Sequence, residues 1–346
     1  MKALTVINPH HAEFSDVPTP VATGKMLLVK VKRTGVCATD LSIYTGESSF
    51  VESGQIVYPV RFGHEWSGEV VSVGEEVKDF KPGDKVISDS GISCGECEDC
   101  KKGNYGSCKH TYSVGTINTW DGCYAEYMLI PEYNAYKVPD NVSFDEAALV
   151  EPVAVSYDAF KGVEITPDMT VVVIGVGAIG MGAIWLAKYF GAKNVVAIGL
   201  RDSKLEIAKK IGADTVINSR VEDPVQAVLE ATGGQGADLV IETSGVQVGL
   251  VQAMKMTKSY GRLSIVSFYE KDVTIPIDDV VLRCITVRGA AGCFGNPGII
   301  CDIMSKNPCK LTPIITHRLP FENCLDIFQN EDKYHATKIK VLIEFE

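Results

Sequence analysis

Residues 171–180 read VVVIGVGAIG: four apolar residues, then glycines at the spacing G-x-G-x-x-G. Val171–Ile174 has the composition of a strand buried on both faces, and AIGMGAIWLAKYFGA (178–192) reads as a helix. The glycines therefore fall on a strand-to-helix turn, the context that makes such a match informative. Gly175 permits the tight turn, Gly177 lets the backbone approach a pyrophosphate, and Gly180 allows the helix to pack closely on the strand. An anion held there would sit on the helix N-terminus. Gly175, Gly177, Ile179 and Gly180 are the first candidate cofactor-binding residues.

Downstream, strand and helix alternate: NVVAI (194–198), SKLEIAKKIGA (203–213), DTVI (214–217), PVQAVLEATG (224–233), ADLVIETSG (237–245), VGLVQAMKMTKSYG (248–261), RLSIVSF (262–268) and CITVRGAAG (284–292). Six strand candidates separated by helices predict a doubly wound parallel sheet. Upstream the pattern differs. KMLLVKVKRTG (25–35), SGEVVSVGEEV (67–77), GDKVIS (83–88) and YAEYMLI (124–130) are short β segments parted by Gly, Pro or charged turns, a pattern that suggests a barrel or sandwich. Past Asn296 come helical segments, TPIITHRLPF (312–321) and the terminal strand KIKVLIEF (338–345). The expected fold class is α/β plus all-β. Residues 1–153 form a β domain carrying a cysteine lobe at about 91–110, residues 154–294 an inserted nucleotide-binding sheet, and residues 295–346 complete the first domain.

The second strand of that sheet bears on which dinucleotide is bound. A site for NAD commonly ends this strand in Asp or Glu, which binds the ribose 2′-hydroxyl. Here Gly199 stands at the strand end, followed by Leu200, Arg201 and Lys204. A missing carboxylate with cations beside it suits a 2′-phosphate, so NADP is expected, with NAD possible if Asp202 is the acid. Read plainly, Arg201 and Lys204 would be solvated charges at a helix start. Ser267, in RLSIVSF, completes the candidate cofactor residues.

CGECEDCKKGNYGSC (94–108) places Cys94, Cys97, Cys100 and Cys108 at separations of two, two and seven residues. Gly95, Gly103 and Gly106 let the loop wrap around an ion. Four thiolates bind zinc tetrahedrally and leave no place for substrate, so this reads as a structural zinc lobe rather than a disulfide knot or redox pair.

The totals agree with a folded, soluble protein. A net charge of −11 argues against a nucleic-acid partner, which needs a basic face. MKALTVINPH lacks the apolar stretch of a signal peptide, and no run is long enough for a membrane span. A cytoplasmic location is expected, with reduced thiols. Cys123, Cys284, Cys293, Cys301, Cys309 and Cys324 then read as packing residues.

Cys37 in GVCATD, His64 and Glu65 in GHEWSGEVVSVG, and Glu151 in EPVAV are far apart in the chain, and spacing alone leaves them a candidate metal site and no more. Together with KPGDKV, the four-cysteine lobe, GVGAIG and THRLPFE, however, these stretches resemble the zinc-dependent medium-chain dehydrogenases, on the polyol (sorbitol) and threonine dehydrogenase branch. The resemblance covers essentially the whole chain. It implies a GroES-like β-barrel catalytic domain with an inserted Rossmann domain, and two zinc ions per chain. The catalytic ion would be held by Cys37, His64 and either Glu65 or Glu151, which exchange on it during turnover in the family. Thr39 matches the hydroxyl that receives the alcohol proton. The substrate would be a small-molecule alcohol or ketone, the chain a homo-oligomer (tetramer or dimer). One departure stands out: Ser42 occupies a position where relatives often carry a relay histidine, usual in threonine dehydrogenases. A secondary alcohol of a polyol, sugar, cyclitol or sugar phosphate is thus the expected substrate, ahead of a simple secondary alcohol or threonine.

Overall fold

The computed structural model describes residues 1–269, 271–290, 292, 294–307 and 309–346. They divide into two compact units. One comprises Met1–Glu151, Cys293–Lys306 and Ile315–Glu346, the other Pro152–Gly292 and Asn307–Ile314.

The second unit is built on a six-stranded sheet, all of whose pairings are parallel. Across the sheet the strands run Thr215–Asn218, Asn194–Gly199, Thr170–Ile174, Ala237–Glu242, Thr257–Ile265 and Thr286–Gly289. Numbered along the chain this is 3-2-1-4-5-6, the doubly wound order. The first strand lies at the centre, which explains its unbroken Val/Ile composition: Val171, Val172 and Val173 are fully buried. Gly175 leaves it at φ +99°, and a Cβ on Gly180 would stand 1.8 Å from the Gly175 carbonyl oxygen. Both glycines are therefore demanded by the turn itself.

Residues 307–314, read from sequence with the C-terminal part, group with this unit. Trp185 Nε1 donates to the Cys309 carbonyl (2.8 Å), and the Cys309 thiol lies 3.7 Å from the Ile211 carbonyl oxygen. Residue 293 lies outside the described residues. Cys284, expected to pack, is exposed in a left-handed turn (φ +50°), whereas Cys123, Cys301 and Cys324 are buried.

The first unit centres on a seven-stranded sheet. Met26–Gly35 is its long middle strand. It pairs antiparallel with Glu65–Val73 on one side, and on the other with Tyr127–Pro131 near its start and Lys340–Glu344 near its end. This brings the C-terminal strand beside Gly35, directly before Cys37. The core beneath is aromatic: Phe62 stacks on Tyr124 at 4.5 Å between ring centres, and Phe328 packs edge-on against both.

Candidate active site

In the cysteine lobe, the sulfurs of Cys94, Cys97, Cys100 and Cys108 all lie within 4.8 Å of one another. Measured pairs are Cys97–Cys100 at 3.4 Å, Cys94–Cys108 at 3.5 Å and Cys94–Cys100 at 3.9 Å. A tetrahedron of zinc–sulfur bonds near 2.3 Å needs sulfur–sulfur separations of about 3.8 Å, so the four donors fit such an ion. Backbone N–H groups point at the sulfurs: those of Cys94 and His110 donate to Cys108, that of Cys97 to Cys94, and that of Cys100 to Cys97. The Cys94 amide, with His110 behind it, holds the Cys108 thiol down to about 6, while burial pushes Cys100 up to about 11. Such a nest prepares the loop for thiolates on a cation.

The second cluster is assembled by the sheet. Cys37 caps the N-terminus of the helix Ala38–Thr45, its own amide donating to Asp40 Oδ2 at 2.9 Å. His64 and Glu65 enter the neighbouring strand, and Glu65 pairs in register with Gly35. The ligand atoms of Cys37, His64 and Glu65 lie within 4.8 Å of one another. Glu151, buried in the first turn of the helix Val150–Asp158, adds its field to His64 and interacts with Ser90. Burial above all, with the Glu65 charge, pushes the Glu151 carboxyl up to about 7. Burial disfavours the charged form of His64, yet the sulfur of Cys37 and the carboxylates of Asp40 and Glu151 raise its pKa well above the ordinary value. A pocket that gathers this much negative charge around one imidazole is arranged for a cation.

Two residues escaped the sequence reading. Asp40 is fully buried, and its Oδ1 faces His64 Nδ1 at 3.6 Å, leaving the other ring nitrogen for a metal. Neither atom has a hydrogen-bond partner among the described residues. Lys340, 2% exposed, places Nζ 2.7 and 2.5 Å from the two oxygens of Glu65. It stands in a strand whose first four residues are all buried, so alternation along the chain does not single it out. Thr39 Oγ1 lies 3.7 Å from Cys37 Sγ. Ser42 Oγ donates to the Thr39 carbonyl at 3.0 Å and fixes that turn.

The glycine turn opens onto a cavity lined by Gly175, Gly177, Gly199, Arg201 and Lys204, with Ser219, Ser244 and Gln252, which sequence reasoning missed. Ile179, Gly180 and Ser267 lie outside this lining. Among the described residues, nothing beyond the adjoining chain lies within 4 Å of where a Gly177 Cβ would stand, and the helix Ala178–Tyr189 that follows has no side-chain cap. Its first amides are thus open to an anion. The second strand ends at Gly199, as expected. Asp202 falls in the first turn of the next helix, where its Oδ1 accepts from Asn218 Nδ2 at 2.7 Å. Ser219 arrives because strand pairing sets Asn218 against Gly199.

Comparison with known proteins agrees with this architecture. Residues 24–140 match the family described as the alcohol dehydrogenase GroES-like domain, and 178–298 the zinc-binding dehydrogenase family. L-threonine 3-dehydrogenase from Bacillus licheniformis is 36% identical over 335 residues, 96% of this chain and 95% of the relative. Among solved structures, a zinc-binding dehydrogenase from Sinorhizobium meliloti bound to NADP is 28% identical with a TM-score of 0.91, covering 99% of this chain and 98% of the other. Galactitol-1-phosphate dehydrogenase from Escherichia coli is 27% identical with a TM-score of 0.88, covering 99% and 100%. The chain belongs to the zinc-dependent medium-chain alcohol dehydrogenase family, on its polyol and threonine dehydrogenase-like branch. Its GroES-like domain and Rossmann sheet are those of that family, and it is an oxidoreductase acting on an alcohol or ketone with zinc and a nicotinamide cofactor.

Proposed function

We propose that this enzyme transfers hydride between NADP(H) and a secondary alcohol, or its ketone, on a polyol, sugar, cyclitol or sugar phosphate. The observation that carries the reading is the three-donor cluster Cys37, His64 and glutamate, a ligand set that leaves a fourth position for a substrate oxygen. Zinc held there acts as a Lewis acid that lowers the pKa of the substrate hydroxyl. Asp40 orients the His64 ring, and the Thr39 hydroxyl takes the alcohol proton. With Ser42 turned to the Thr39 carbonyl, the proton leaves through water, the cofactor ribose or Glu65. A second ion in the cysteine lobe holds that loop folded.

Preference for NADP is supported by Gly199 at the strand end, by Arg201 and Lys204 lining the cavity, and by the engagement of Asp202 with Asn218. A cytoplasmic site of action is supported by the absence of any disulfide among the described cysteines. Association into a homodimer or homotetramer is supported by the edge strand Thr286–Gly289, which pairs on one side only among the described residues, and by the exposed Val281 and Leu282 just before it in the chain.

Oxidation of L-threonine is the second reading, favoured by the Bacillus licheniformis relative. The test is a rate panel of polyols, cyclitols, sugar phosphates, simple secondary alcohols and L-threonine, each with NADP and with NAD, on zinc-replete protein. Turnover of one polyol class with NADP is the expected result. Turnover of L-threonine with NAD alone would replace both the substrate and the cofactor.

A further inference from the structure

We infer that Glu242 is a positioning residue for the cofactor. Its buried carboxylate ties the loop after the strand Ala237–Glu242, which lines the cofactor cavity, to the loop after the strand Thr257–Ile265. The dinucleotide then meets the two loops as one preformed surface. The inference rests on the reading of the glycine turn and its cavity as a dinucleotide site, whichever of NADP and NAD is bound there.

Glu242 ends its strand and lies in register between Ile174, where the glycine turn begins, and Ile265. Its side chain is fully buried. Asp158, also buried in this unit, has Arg288 and Lys161 beside it, whereas Glu242 has no ion-pair partner among the described residues. Neutral donors hold it instead. Oε1 accepts from the Ser244 amide at 2.7 Å and from the Ser244 hydroxyl. Oε2 accepts from the Tyr269 hydroxyl, and the Gly245 amide lies 3.5 Å away. Burial and this carboxylate push the Tyr269 hydroxyl far up, so it keeps its proton and remains a donor.

A carboxylate enclosed by the core is costly unless its lone pairs are used, and packing alone is served as well by an apolar side chain. What the charge supplies here is convergence, since donors from two separate loops meet on one group. Ser244 lines the cavity, and Tyr269 follows Ser267 and Phe268 beyond the neighbouring strand. The same loops touch at Gly245, which is left-handed (φ +69°) and whose Cβ would stand 2.9 Å from the Phe268 carbonyl oxygen. Thr243 joins the glycine turn to this assembly, its hydroxyl donating to the carbonyls of Ile174 (2.8 Å) and Gly175 (3.1 Å).

Topology says what the assembly faces. In the order 3-2-1-4-5-6 a dinucleotide spans the reversal between the first and fourth strands, across their carboxyl ends. With the adenosine ribose towards Gly199, the nicotinamide half runs over the ends of the fourth and fifth strands, where Glu242 pins the loops. A loop already fixed loses less entropy when a ligand settles on it.

The test uses zinc-replete holoenzyme as wild type, Tyr269→Phe, Glu242→Asp and the double variant. Calorimetry titrates the reduced dinucleotide that wild type binds (NADPH or NADH) and its adenosine fragment (adenosine 2′,5′-bisphosphate or AMP). Tyr269→Phe removes one hydroxyl. Glu242→Asp keeps a carboxylate able to accept from the amide two residues on, but one methylene short of Tyr269. Each variant is expected to raise the dinucleotide Kd about ten-fold and to leave the fragment Kd within about two-fold. The double variant should be no worse than either single, because both cut the same link. A wild-type dinucleotide Kd in either single variant, even with lowered thermal stability, would make Glu242 a core group only and overturn the inference. Equal losses for dinucleotide and fragment, or additive losses in the double variant, overturn it too. Wild-type protein that binds neither NADPH nor NADH would instead sink the dinucleotide reading and the inference with it.

Discussion

Asp40 Oδ1 stands 3.6 Å from His64 Nδ1, and both atoms are buried without a hydrogen-bond partner among the described residues. Partners of this kind fix the ring orientation and tautomer of a ligating histidine. Burial pushes the Asp40 carboxyl up to about 6, against the pull of His64 and the Cys37 amide. Asp40→Asn is expected to weaken the catalytic zinc by about 10–100-fold while the cysteine-lobe ion stays bound. Chelator competition on the holoenzyme checks it. Equal weakening of both ions would mean that the fold had been damaged and His64 had not been specifically released.

Zinc uptake should be pH-dependent in a defined direction. In the metal-free protein Glu151 titrates near 7 and His64 well above its ordinary value, so both carry protons at mildly acidic pH. Zinc needs the carboxylate and the neutral imidazole, so binding expels those protons. More protons should be released at pH 6 than at pH 8.5, and affinity should fall as pH drops through about 7. Calorimetry in buffers of differing ionisation heat measures the number directly. Proton release that is flat across this range would show that Glu151 and His64 are not being displaced.

Legibility from sequence followed the distance over which each feature is built. The glycine turn and the cysteine lobe are local, so their spacing along the chain already states their geometry. Cys37, His64 and Glu65 meet only through the sheet, and needed resemblance to a family to be joined. Asp40 sits in the quoted GVCATD, but its role depends on a histidine 24 positions away. Lys340 has no local signal, because its partner lies 275 residues away. Ser219 was hidden for the same reason, being carried to Gly199 by parallel pairing.

The THRLPFE motif has a structural explanation that sequence could not supply. Arg318 donates to Asp145 and to Glu344, and Arg33 donates to Asp145 from the middle strand. The network ties three strands to the helix Phe144–Ala147. Partial burial raises the Asp145 carboxyl, but the hydrogen bonds from Arg318 and Arg33 outweigh it, and its pKa falls below the ordinary 3.8. A depressed folded pKa contributes stability above the unfolded value and loses it as pH falls below about 4. Asp145→Asn should cost about 1 kcal/mol at pH 7, a modest figure because the arginines are partly solvated. Urea melts of both proteins at pH 7 and pH 3 should show the gap closing in acid.

Cofactor preference is tested at Arg201. It stands just before the helix that follows the second strand and lines the cavity with Lys204, beyond a strand end that has glycine where an acid would bind a free ribose hydroxyl. If its guanidinium contacts a 2′-phosphate, Arg201→Ala removes a charge-assisted hydrogen bond of about 1.5–3 kcal/mol. That corresponds to a loss of roughly 10- to 150-fold in kcat/KM with NADP, and little change with NAD, which has no phosphate there. The loss should fall on the Michaelis constant, since the 2′-phosphate is remote from the reacting carbon and is bound equally before and during hydride transfer. Equal losses with both cofactors would assign Arg201 to the helix start alone and return the choice of dinucleotide to Ser219 and Lys204.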